Sequence, residues 1–504
     1  MTSRDPDEVL ARLRRLRESD APTHGGRILS YVYDSGLGVL DRLAADAAEL
    51  VRPVNGLDPT VFGSVAAMER DLIEFSRSAF GSPDAVGTVT SGGTESCLLA
   101  VAAARRTSGL PRGHGNVVAP STAHAAFDKA AELLGVDLRR VPVDPDSTRP
   151  SAADVAAHVD DETFLLVASA PNYPTGTMDP IAEFGELALE RGLPLHVDAC
   201  LGGFALAWWP EPSDPWDLSV PGVTSLSADF HKYGYAPKGA SILLHTDRDR
   251  HRAGYFATAD WPGYPVVNPT LLGSRSATGT AAAWAITQFL GPEGFAGLVG
   301  DIAAARTVLL EQVCAIDGLR VVGDPFGPVF AVAADHASAR PIDPHRWADE
   351  VHARGFTLQA QPRYRQSDGS ELAASTHLTI TPVTRTVAAE LSAAMVDAAT
   401  AARALPPIDA PGPLRELAAA FESGAVTVED AVGLDSAATE AVLIGAGIDP
   451  HSDPARSEEA LDIGAVIAAI DLLPRPVTAK MLIEFLAAFT NPPPAGTGTT
   501  VRAR

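Results

Sequence analysis

Short apolar runs alternate with longer amphipathic patterns through the middle of the chain. The runs lie at residues 86–90, 116–119, 164–169, 195–199 and 240–245, and helical patterns lie at 95–106, 125–134 and 181–191. Strands separated by helices predict a mainly parallel sheet with helices on both faces. Ligands bind at the carboxyl ends of the strands in such sheets. The pattern therefore predicts an α/β protein whose site is built from polar residues that follow these runs.

The pattern also divides the chain into five segments. We predict a helical N-terminal arm at residues 1–60, a large ligand-binding domain at 61–310, a smaller C-terminal α/β domain at 311–405, a helical acidic segment at 406–490 and a disordered tail at 491–504. Strands of the small domain are expected at 329–333 and 377–381, after a helical connection at 281–318. A proline-rich break at 405–413 precedes the acidic segment, and three consecutive prolines mark the tail.

Composition narrows the classes of partner. With 46% hydrophobic and 20% charged residues in 504, the chain has the composition of a globular protein. Its net charge of -24 disfavours nucleic acid and anionic membranes as partners. The sequence contains no run of about 18 apolar residues, so we expect no integral membrane segment. The cysteines Cys97, Cys200 and Cys314 lie far apart without metal-ligand spacing, which predicts a cytoplasmic protein with neither disulfides nor a metal site.

Lysine is rare in this chain. Only Lys129, Lys232, Lys238 and Lys480 occur, against a Lys and Arg total of 39, and two of the four fall within residues 225–239. An arginine cannot replace a lysine that forms a Schiff base, because a guanidinium stays protonated and is not nucleophilic. Lys232 follows a strand-like run and His231. It is therefore either a candidate nucleophilic amine or a solvated loop cation.

Three further motifs follow strand-like runs. Residues 90–96, Thr-Ser-Gly-Gly-Thr-Glu-Ser, join a strand to a helix and suit an anion cradle, although a plain capped turn has the same pattern. Asp198 ends an apolar strand, where a carboxylate needs a cation, and His124 heads a helix that it can also simply cap. An anion cradle, a ring partner, a carboxylate and a lysine together match the needs of pyridoxal 5'-phosphate.

These motifs carry a family resemblance. Residues 89–96, 124–130, 194–204, 227–239 and 273–275 resemble, in order, the motifs of fold-type I pyridoxal-phosphate enzymes of the group II decarboxylase family. Within that family the strings Asp-Ala-Cys-Leu-Gly-Gly-Phe and Lys-Tyr-Gly-Tyr-Ala-Pro-Lys-Gly are most similar to sphingosine 1-phosphate lyases. The resemblance covers roughly residues 31–284 and implies a fold like that of aspartate aminotransferase.

The resemblance assigns roles to the cofactor-site residues. It implies that Lys232 bonds to the cofactor aldehyde, Asp198 pairs with the pyridine nitrogen and His124 stacks on the ring. The cofactor phosphate would be held by Gly93, Thr94 and His231. Ser274, in a Gly-Ser-Arg loop, would reach that phosphate from a second subunit. A homodimer with shared active sites is the implied assembly.

For activity, the resemblance implies cleavage of the Cα–Cβ bond of a β-hydroxy amine with release of an aldehyde. Tyr33 and Lys238 match two family residues that hold the substrate phosphate. The third family residue is a histidine, at which this chain has Asp58, and a histidine is also expected where the chain has Thr175. A carboxylate repels a phosphate dianion, so an amine that pairs with Asp58, or a neutral β-hydroxy amino compound, is an alternative substrate.

Other activities use the same residues. An amino-acid α-decarboxylase would need Lys232, Asp198 and His124, with Arg363 or Arg365 for the substrate carboxylate. Those two arginines are more simply interpreted as surface residues. Aminotransfer ranks lower, and a catalytically idle relative that acts as a binding or assembly protein is a further alternative. Release of carbon dioxide or of aldehyde discriminates the two lyase activities, and absence of bound cofactor would favour the idle relative.

Overall fold

The computed structural model describes residues 5–406, 408–451 and 463–491. Its largest sheet has seven strands in the order β1-β7-β6-β5-β4-β2-β3. Only β7 runs antiparallel to its neighbours, β1 and β6. The seven strands are β1 (Val86–Thr90), β2 (Asn116–Pro120), β3 (Asp137–Val141), β4 (Thr163–Ser169), β5 (Leu195–Asp198), β6 (Val223–Ala228) and β7 (Ser241–His245).

The central strands β2, β4 and β5 are buried along their whole length, as strands covered on both faces must be. The helices before the second sheet are α1 (Pro6–Leu16), α2 (Gly38–Val51), α3 (Gly63–Ala79), α4 (Gly93–Thr107), α5 (Ala126–Leu134), α6 (Ala152–His158), α7 (Ile181–Arg191), α8 (Gly203–Leu206), α9 (Arg248–Ala253) and α10 (Thr278–Cys314). Helix α10 is interrupted at Gly291, just before Pro292. A hairpin of β8 (Phe256–Thr258) and β9 (Val266–Asn268) lies between α9 and α10.

The predicted α/β class with a mainly parallel sheet is confirmed. The sequence pattern missed β3, because this edge strand carries Asp137, Arg139 and Arg140 instead of an apolar run. It also placed the second small-domain strand two residues late, since the strand is Ser375–Thr379 and pairs with β11 over that range.

A second, antiparallel sheet follows α10, in the order β10-β11-β15-β12. Its elements, with a small additional hairpin, are β10 (Leu319–Val321), β11 (Val329–Ala334), α11 (Pro344–His352), β12 (Gln359–Gln361), β13 (Tyr364–Arg365), β14 (Glu371–Leu372), β15 (Ser375–Thr379) and α12 (Thr384–Ala402). The first part of the chain is bonded to this second sheet region, because Leu29 N–H donates to Thr357 O and Thr379 N–H to Leu29 O.

The predicted acidic segment contains helices α13 (Gly412–Glu422), α14 (Val428–Val432), α15 (Ser436–Gly445), α16 (Ile463–Leu472) and α17 (Arg475–Thr490). They share a small apolar core that includes Leu414, Leu443 and Val477. Of the predicted disordered tail, residues 492–504 lie outside the described residues. Within the described ranges, no helix combines the length and apolar composition that crossing a membrane requires.

Candidate functional site

A cavity of about 400 Å³ lies at the carboxyl ends of the central strands. Six of the ten predicted site residues line it: Gly93, Thr94, His124, Asp198, His231 and Lys232. They follow β1, β2, β5 and β6, which is why residues far apart in sequence meet here. The sheet therefore brings the predicted cradle, ring partner, carboxylate and lysine into one space.

The β1–α4 turn forms the cradle. Helix α4 begins at Gly93, so its first backbone N–H groups and the positive end of its dipole point into the cavity. A Cβ on Gly93 would lie 2.7 Å from Cys200 Sγ and 2.9 Å from Asp229 Oδ2. Only glycine fits this position without displacing the residues after β5 and β6. Such a turn is a ready site for an anion.

Lys232 is held by a carboxylate that sequence reasoning missed. Its Nζ lies 2.8 Å from Asp229 Oδ2, and His231 Nε2 lies 3.4 Å from the same oxygen. Burial would lower the pKa of Lys232, but the Asp229 carboxylate outweighs burial and raises it above the usual value. Asp229 is itself buried, and its Oδ1 has no hydrogen-bond partner within the described part of the chain. The sequence signal for Asp229 is its place directly after β6, which parallels the place of Asp198 at the end of β5.

Asp198 lines the cavity close to two thiols. Its Oδ1 accepts a hydrogen bond from Cys200 N–H at 3.0 Å, which fixes the carboxylate at the end of β5. Cys97, from α4, and Cys200 both line the same cavity. The sequence did not predict that these two cysteines lie close together. They are far apart in sequence, and their proximity depends on how α4 packs against the sheet.

Tyr33 and Lys238 lie together beside the cavity. The Nζ of Lys238 donates to His231 O at 2.9 Å and lies 4.6 Å from the centre of the Tyr33 ring. Lys238 is exposed at its surface, but partial desolvation beside the cavity and the positive charge of Lys232 lower its pKa to about 8. Burial also raises the pKa of the Tyr33 phenol, although the Lys232 charge opposes that shift. The two residues form a polar pair next to the lysine.

Tyr173 is a cavity residue that the sequence analysis did not select. Its hydroxyl donates to Gln359 Oε1, which also accepts from Ser30, and its ring stacks on His377 with centroids 4.4 Å apart. The neighbouring Thr175 is buried away from the lining and donates to Asn172 Oδ1 at 2.9 Å. The loop after β4 thus places Tyr173 in the cavity wall. Thr175, at the position where a histidine was expected, instead stabilises the loop through its hydrogen bond to Asn172.

The other predicted residues lie elsewhere. Asp58 is exposed, and its Oδ1 accepts from Thr60 N–H and Oγ1 at 2.9 and 2.6 Å, which lower its pKa. Ser274 accepts from Asn55 Nδ2 at 3.1 Å, so the Asp58 and Ser274 loops touch each other. Neither residue lines the cavity of its own chain.

The two arginines of the decarboxylase alternative also lie away from this cavity. Arg363 is 58% exposed in its side chain and lies 3.8 Å from Asp471 of α16. The backbone carbonyl of Arg365 accepts a hydrogen bond from the guanidinium of Arg475 in α17. Both therefore support the C-terminal helices, in keeping with the simpler surface interpretation.

The cavity residues fit a phosphorylated pyridine aldehyde. Because Gly93 has no Cβ, the backbone of the Gly92–Gly93 turn packs closely against the residues after β5 and β6, and it presents free N–H groups to the cavity. Lys232 supplies an amine and Asp198 a buried carboxylate in the same cavity. His124 offers a flat ring at its wall. This donor set contains each group that the expected cofactor needs.

Comparison with known proteins gives the same assignment. Residues 64–259 match the model of the pyridoxal-dependent decarboxylase conserved domain. The chain is 36% identical over 361 residues to sphingosine-1-phosphate lyase 1 of Rattus norvegicus, covering 70% of this chain and 62% of the rat protein. It thus spans less than two thirds of that relative.

Solved structures extend the match. The sphingosine-1-phosphate lyase of Burkholderia pseudomallei is 31% identical, with a TM-score of 0.73, over 84% of this chain and 94% of that chain. A glutamate decarboxylase of Lactobacillus brevis, at 19% identity and a TM-score of 0.70 over 81% of this chain and 95% of that chain, shows the fold alone. The chain therefore belongs to the group II pyridoxal-phosphate-dependent decarboxylase family, as a sphingosine-1-phosphate lyase-like member with the fold-type I architecture.

Proposed function

We propose that this protein is a pyridoxal-phosphate-dependent carbon–carbon lyase that cleaves the Cα–Cβ bond of a β-hydroxy amine and releases an aldehyde. The observation that carries the proposal is the 31% identity to a bacterial sphingosine-1-phosphate lyase over nearly all of that chain. The polar pair of Tyr33 and Lys238 beside Lys232 supports it, because the two residues match positions that hold the substrate phosphate in such lyases.

The roles of the cavity residues follow from their chemistry. When bound, pyridoxal phosphate withdraws electrons from the bond that breaks at the substrate Cα. The amine of Lys232 would hold the cofactor covalently, and Asp198 would keep the pyridine nitrogen protonated. Gly93, Thr94 and His231 would bind its phosphate, and His124 would pack on its ring. Asp229 keeps the Lys232 amine positioned through their 2.8 Å contact.

The substrate head group would meet Lys238 and Tyr33. With a pKa of about 8, Lys238 is largely an ammonium at neutral pH and can pair with a phosphate. Its position over the Tyr33 ring and its bond to His231 O orient that charge. If Asp58 faced the same head group, its carboxylate would repel a phosphate. Whether the preferred substrate is phosphorylated is therefore the first property to measure.

We propose a homodimer in which Asp58 and Ser274 act on the partner subunit's cavity. Both lie outside the cavity lining of their own chain, on loops that touch each other. Large apolar side chains are exposed nearby in sequence, on the β8–β9 hairpin and the segment after it: Phe256, Trp261, Tyr264, Val267, Leu271 and Leu272. Exposed apolar side chains concentrated in one segment support an interface there, because large apolar surface is seldom left in solvent without a partner. The proposed location is the cytoplasm.

Incubation of the cofactor-loaded enzyme with sphingosine 1-phosphate tests the function. We expect a long-chain aldehyde and phosphoethanolamine in equal amounts, detected by mass spectrometry, and neither product with Lys232→Ala. Parallel reactions use the unphosphorylated amine and a panel of amino acids, with carbon dioxide measured. Carbon dioxide without aldehyde would replace the proposal by the α-decarboxylase alternative. A chain that binds no cofactor would favour the idle relative.

A further inference from the structure

Two of the three cysteines meet beside Asp198 in the lining of the cavity. Cys97 comes from α4, and Cys200 follows β5 by two residues. The two Sγ atoms and a carboxylate oxygen of Asp198 all lie within 4.8 Å of one another. All three residues are buried, with 1%, 6% and 7% of their surfaces exposed. Cys314, the third cysteine, is exposed at the end of α10.

This arrangement suits a soft divalent cation. Two thiolates and a carboxylate are ligands of Zn²⁺, with bonds of about 2.3 Å to sulfur and about 2.0–2.2 Å to oxygen. Two sulfurs bound to one tetrahedral ion are about 3.8 Å apart, so small side-chain rotations bring these three atoms into range. Three protein ligands leave a fourth position, and because all three residues line the cavity, that position faces the cavity.

The groups around the three residues hold them in place. Cys200 Sγ donates to Ser227 Oγ at 3.1 Å, and Cys200 N–H donates to Asp198 Oδ1 at 3.0 Å. His196 Nε2 lies 3.1 Å from the same Ser227 hydroxyl. Such outer contacts orient metal ligands, and the cavity provides the path of entry. Burial raises the pKa of the Cys200 thiol well above its usual value, so metal uptake must release protons.

We propose that the cofactor-free protein binds one thiophilic divalent cation, such as Zn²⁺, through Cys97, Asp198 and Cys200, and that this ion excludes pyridoxal phosphate. Exclusion follows because Asp198 would have to serve the metal and the pyridine nitrogen at once. The site would make loading of the cofactor sensitive to the free metal concentration. It would leave the loaded enzyme unaffected, since the cofactor then covers the ligands.

The binding test uses Cd²⁺, whose thiolate complexes absorb in the near ultraviolet. The full-length chain is freed of cofactor, reduced with a phosphine and titrated with Cd²⁺. We expect an absorbance that saturates at about one ion per chain. Cys97→Ala and Cys200→Ala should abolish it, whereas Cys314→Ala should keep it. Retention in Cys97→Ala with loss in Cys314→Ala would assign the ion to the exposed cysteine and overturn the proposal.

The competition test measures both ligands. Loading with pyridoxal phosphate before the titration should remove the Cd²⁺ absorbance. Stoichiometric Zn²⁺ should slow cofactor uptake by the unmodified chain at least tenfold and have little effect on Cys97→Ala, which also controls for zinc bound by free cofactor. Cys97→Ser replaces the alanine variant if that variant does not fold. Undiminished Cd²⁺ absorbance after cofactor loading would show that the sites are separate, and would also overturn the proposal.

Discussion

At the level of single residues, burial and charge act in opposite directions within the cavity. Burial would favour a neutral Lys232 and a neutral Asp229. Their 2.8 Å contact reverses both effects, raising the pKa of the lysine and lowering that of the acid. The contact with Asp229 therefore keeps the amine of Lys232 protonated. Because this charge compensates the buried carboxylate of Asp229, a substitution at Lys232 should affect stability as well as chemistry.

Lys232→Ala should abolish both cofactor attachment and turnover. It should also lower the free energy of unfolding by about 3–5 kcal/mol, because it leaves the buried Asp229 without its cation. Visible absorbance after incubation with pyridoxal phosphate and denaturant unfolding of the cofactor-free chain measure the two effects. Lys129→Ala, at an exposed position, is the matched control. Turnover by Lys232→Ala would remove the central assignment of the site.

The pH dependence of substrate binding should report Lys238. Its pKa of about 8 lies below the usual lysine value, so the ammonium is present at pH 7 and is lost as pH rises through 8. KM for a phosphorylated substrate should therefore rise about tenfold between pH 7 and pH 9. KM for its unphosphorylated analogue should change little. Lys238→Arg, whose guanidinium stays charged, should flatten the dependence. An unchanged profile in that variant would exclude Lys238 as the titrating group.

Asp179 should limit stability at high pH. Burial raises its pKa to about 7, although its Oδ2 accepts from Ser169 N–H at 2.7 Å. The unfolded chain ionises this acid at a lower pH than the folded chain, so its ionisation destabilises the fold progressively from about pH 4 to pH 7. Asp179→Asn should therefore stabilise the protein by roughly 2.5 kcal/mol more at pH 8 than at pH 5.

Denaturant unfolding at the two pH values measures this difference. Asp161→Asn, which changes an exposed acid, should give the same small effect at both. An equal effect of Asp179→Asn at pH 5 and pH 8 would mean that the buried carboxyl does not titrate between them.

Site residues could be predicted from the sequence where the residue type and its position relative to a strand were sufficient. A rare lysine after a strand and an acid at a strand end identified Lys232 and Asp198 as candidate site residues, and both line the cavity. Tyr173 could not be found this way, because its position depends on the loop after β4 and on contacts with Gln359 and Ser30. Long-range packing of that kind has no local signature.

At the level of elements, the β1–α4 turn has no room for a side chain at Gly93. Gly93→Ala would place a Cβ within 2.7 Å of Cys200 Sγ and 2.9 Å of Asp229 Oδ2. We expect a loss of about 1–3 kcal/mol in stability and at least a tenfold loss of cofactor affinity, since the turn must move away from the strand ends. Equilibrium binding of pyridoxal phosphate and denaturant unfolding measure the two losses.

Gly297→Ala in α10 is the matched control. Its added methyl group meets no atom within 4 Å, and the position is helical. It should stabilise the protein by about 0.5–1 kcal/mol and leave cofactor affinity unchanged. Unchanged affinity in Gly93→Ala as well would mean that the turn does not bind the phosphate.

Element prediction succeeded where the hydrophobic pattern was continuous, including the edge strand β1, and failed at the charged edge strand β3. The buried strands and helix α7, Ile181–Arg191, follow from their apolar spacing. The edge strand β3 carries charges because one side of it has no neighbour in the sheet, so an apolar pattern cannot reveal it.

At the level of the whole molecule, one chain does not bring all the predicted site residues together. Tyr33 and Lys238 lie beside the cavity, but Asp58 and Ser274 lie on loops outside its lining. Sequence resemblance named all ten residues and assigned Ser274 to the cavity of a second subunit, but it did not separate Asp58 from the residues of its own chain's cavity. The position of Asp58 outside the lining depends on the path of its loop, which local sequence patterns do not encode. The proposed dimer would restore the missing residues from the partner.

Mixing two inactive variants tests the shared site directly. Lys232→Ala removes the amine, and Ser274→Glu places a negative charge where the proposal puts the partner's cofactor phosphate. A heterodimer of the two has one cavity with both changes and one with neither, so it should recover about half of the turnover of the unmodified dimer. If Ser274 acted within its own chain, each cavity of the heterodimer would carry one change and the mixture would stay inactive.

Two controls complete this experiment. Each variant alone should be inactive and should keep the size of a dimer in solution, because neither substitution lies on the exposed apolar hairpin. Subunits are exchanged by refolding together, and heterodimers are isolated with two different affinity tags. Recovery in the heterodimer with none in the separate variants would assign Ser274 to the partner's cavity. A monomer that is fully active would refute the shared site, because its single cavity would then need no second chain.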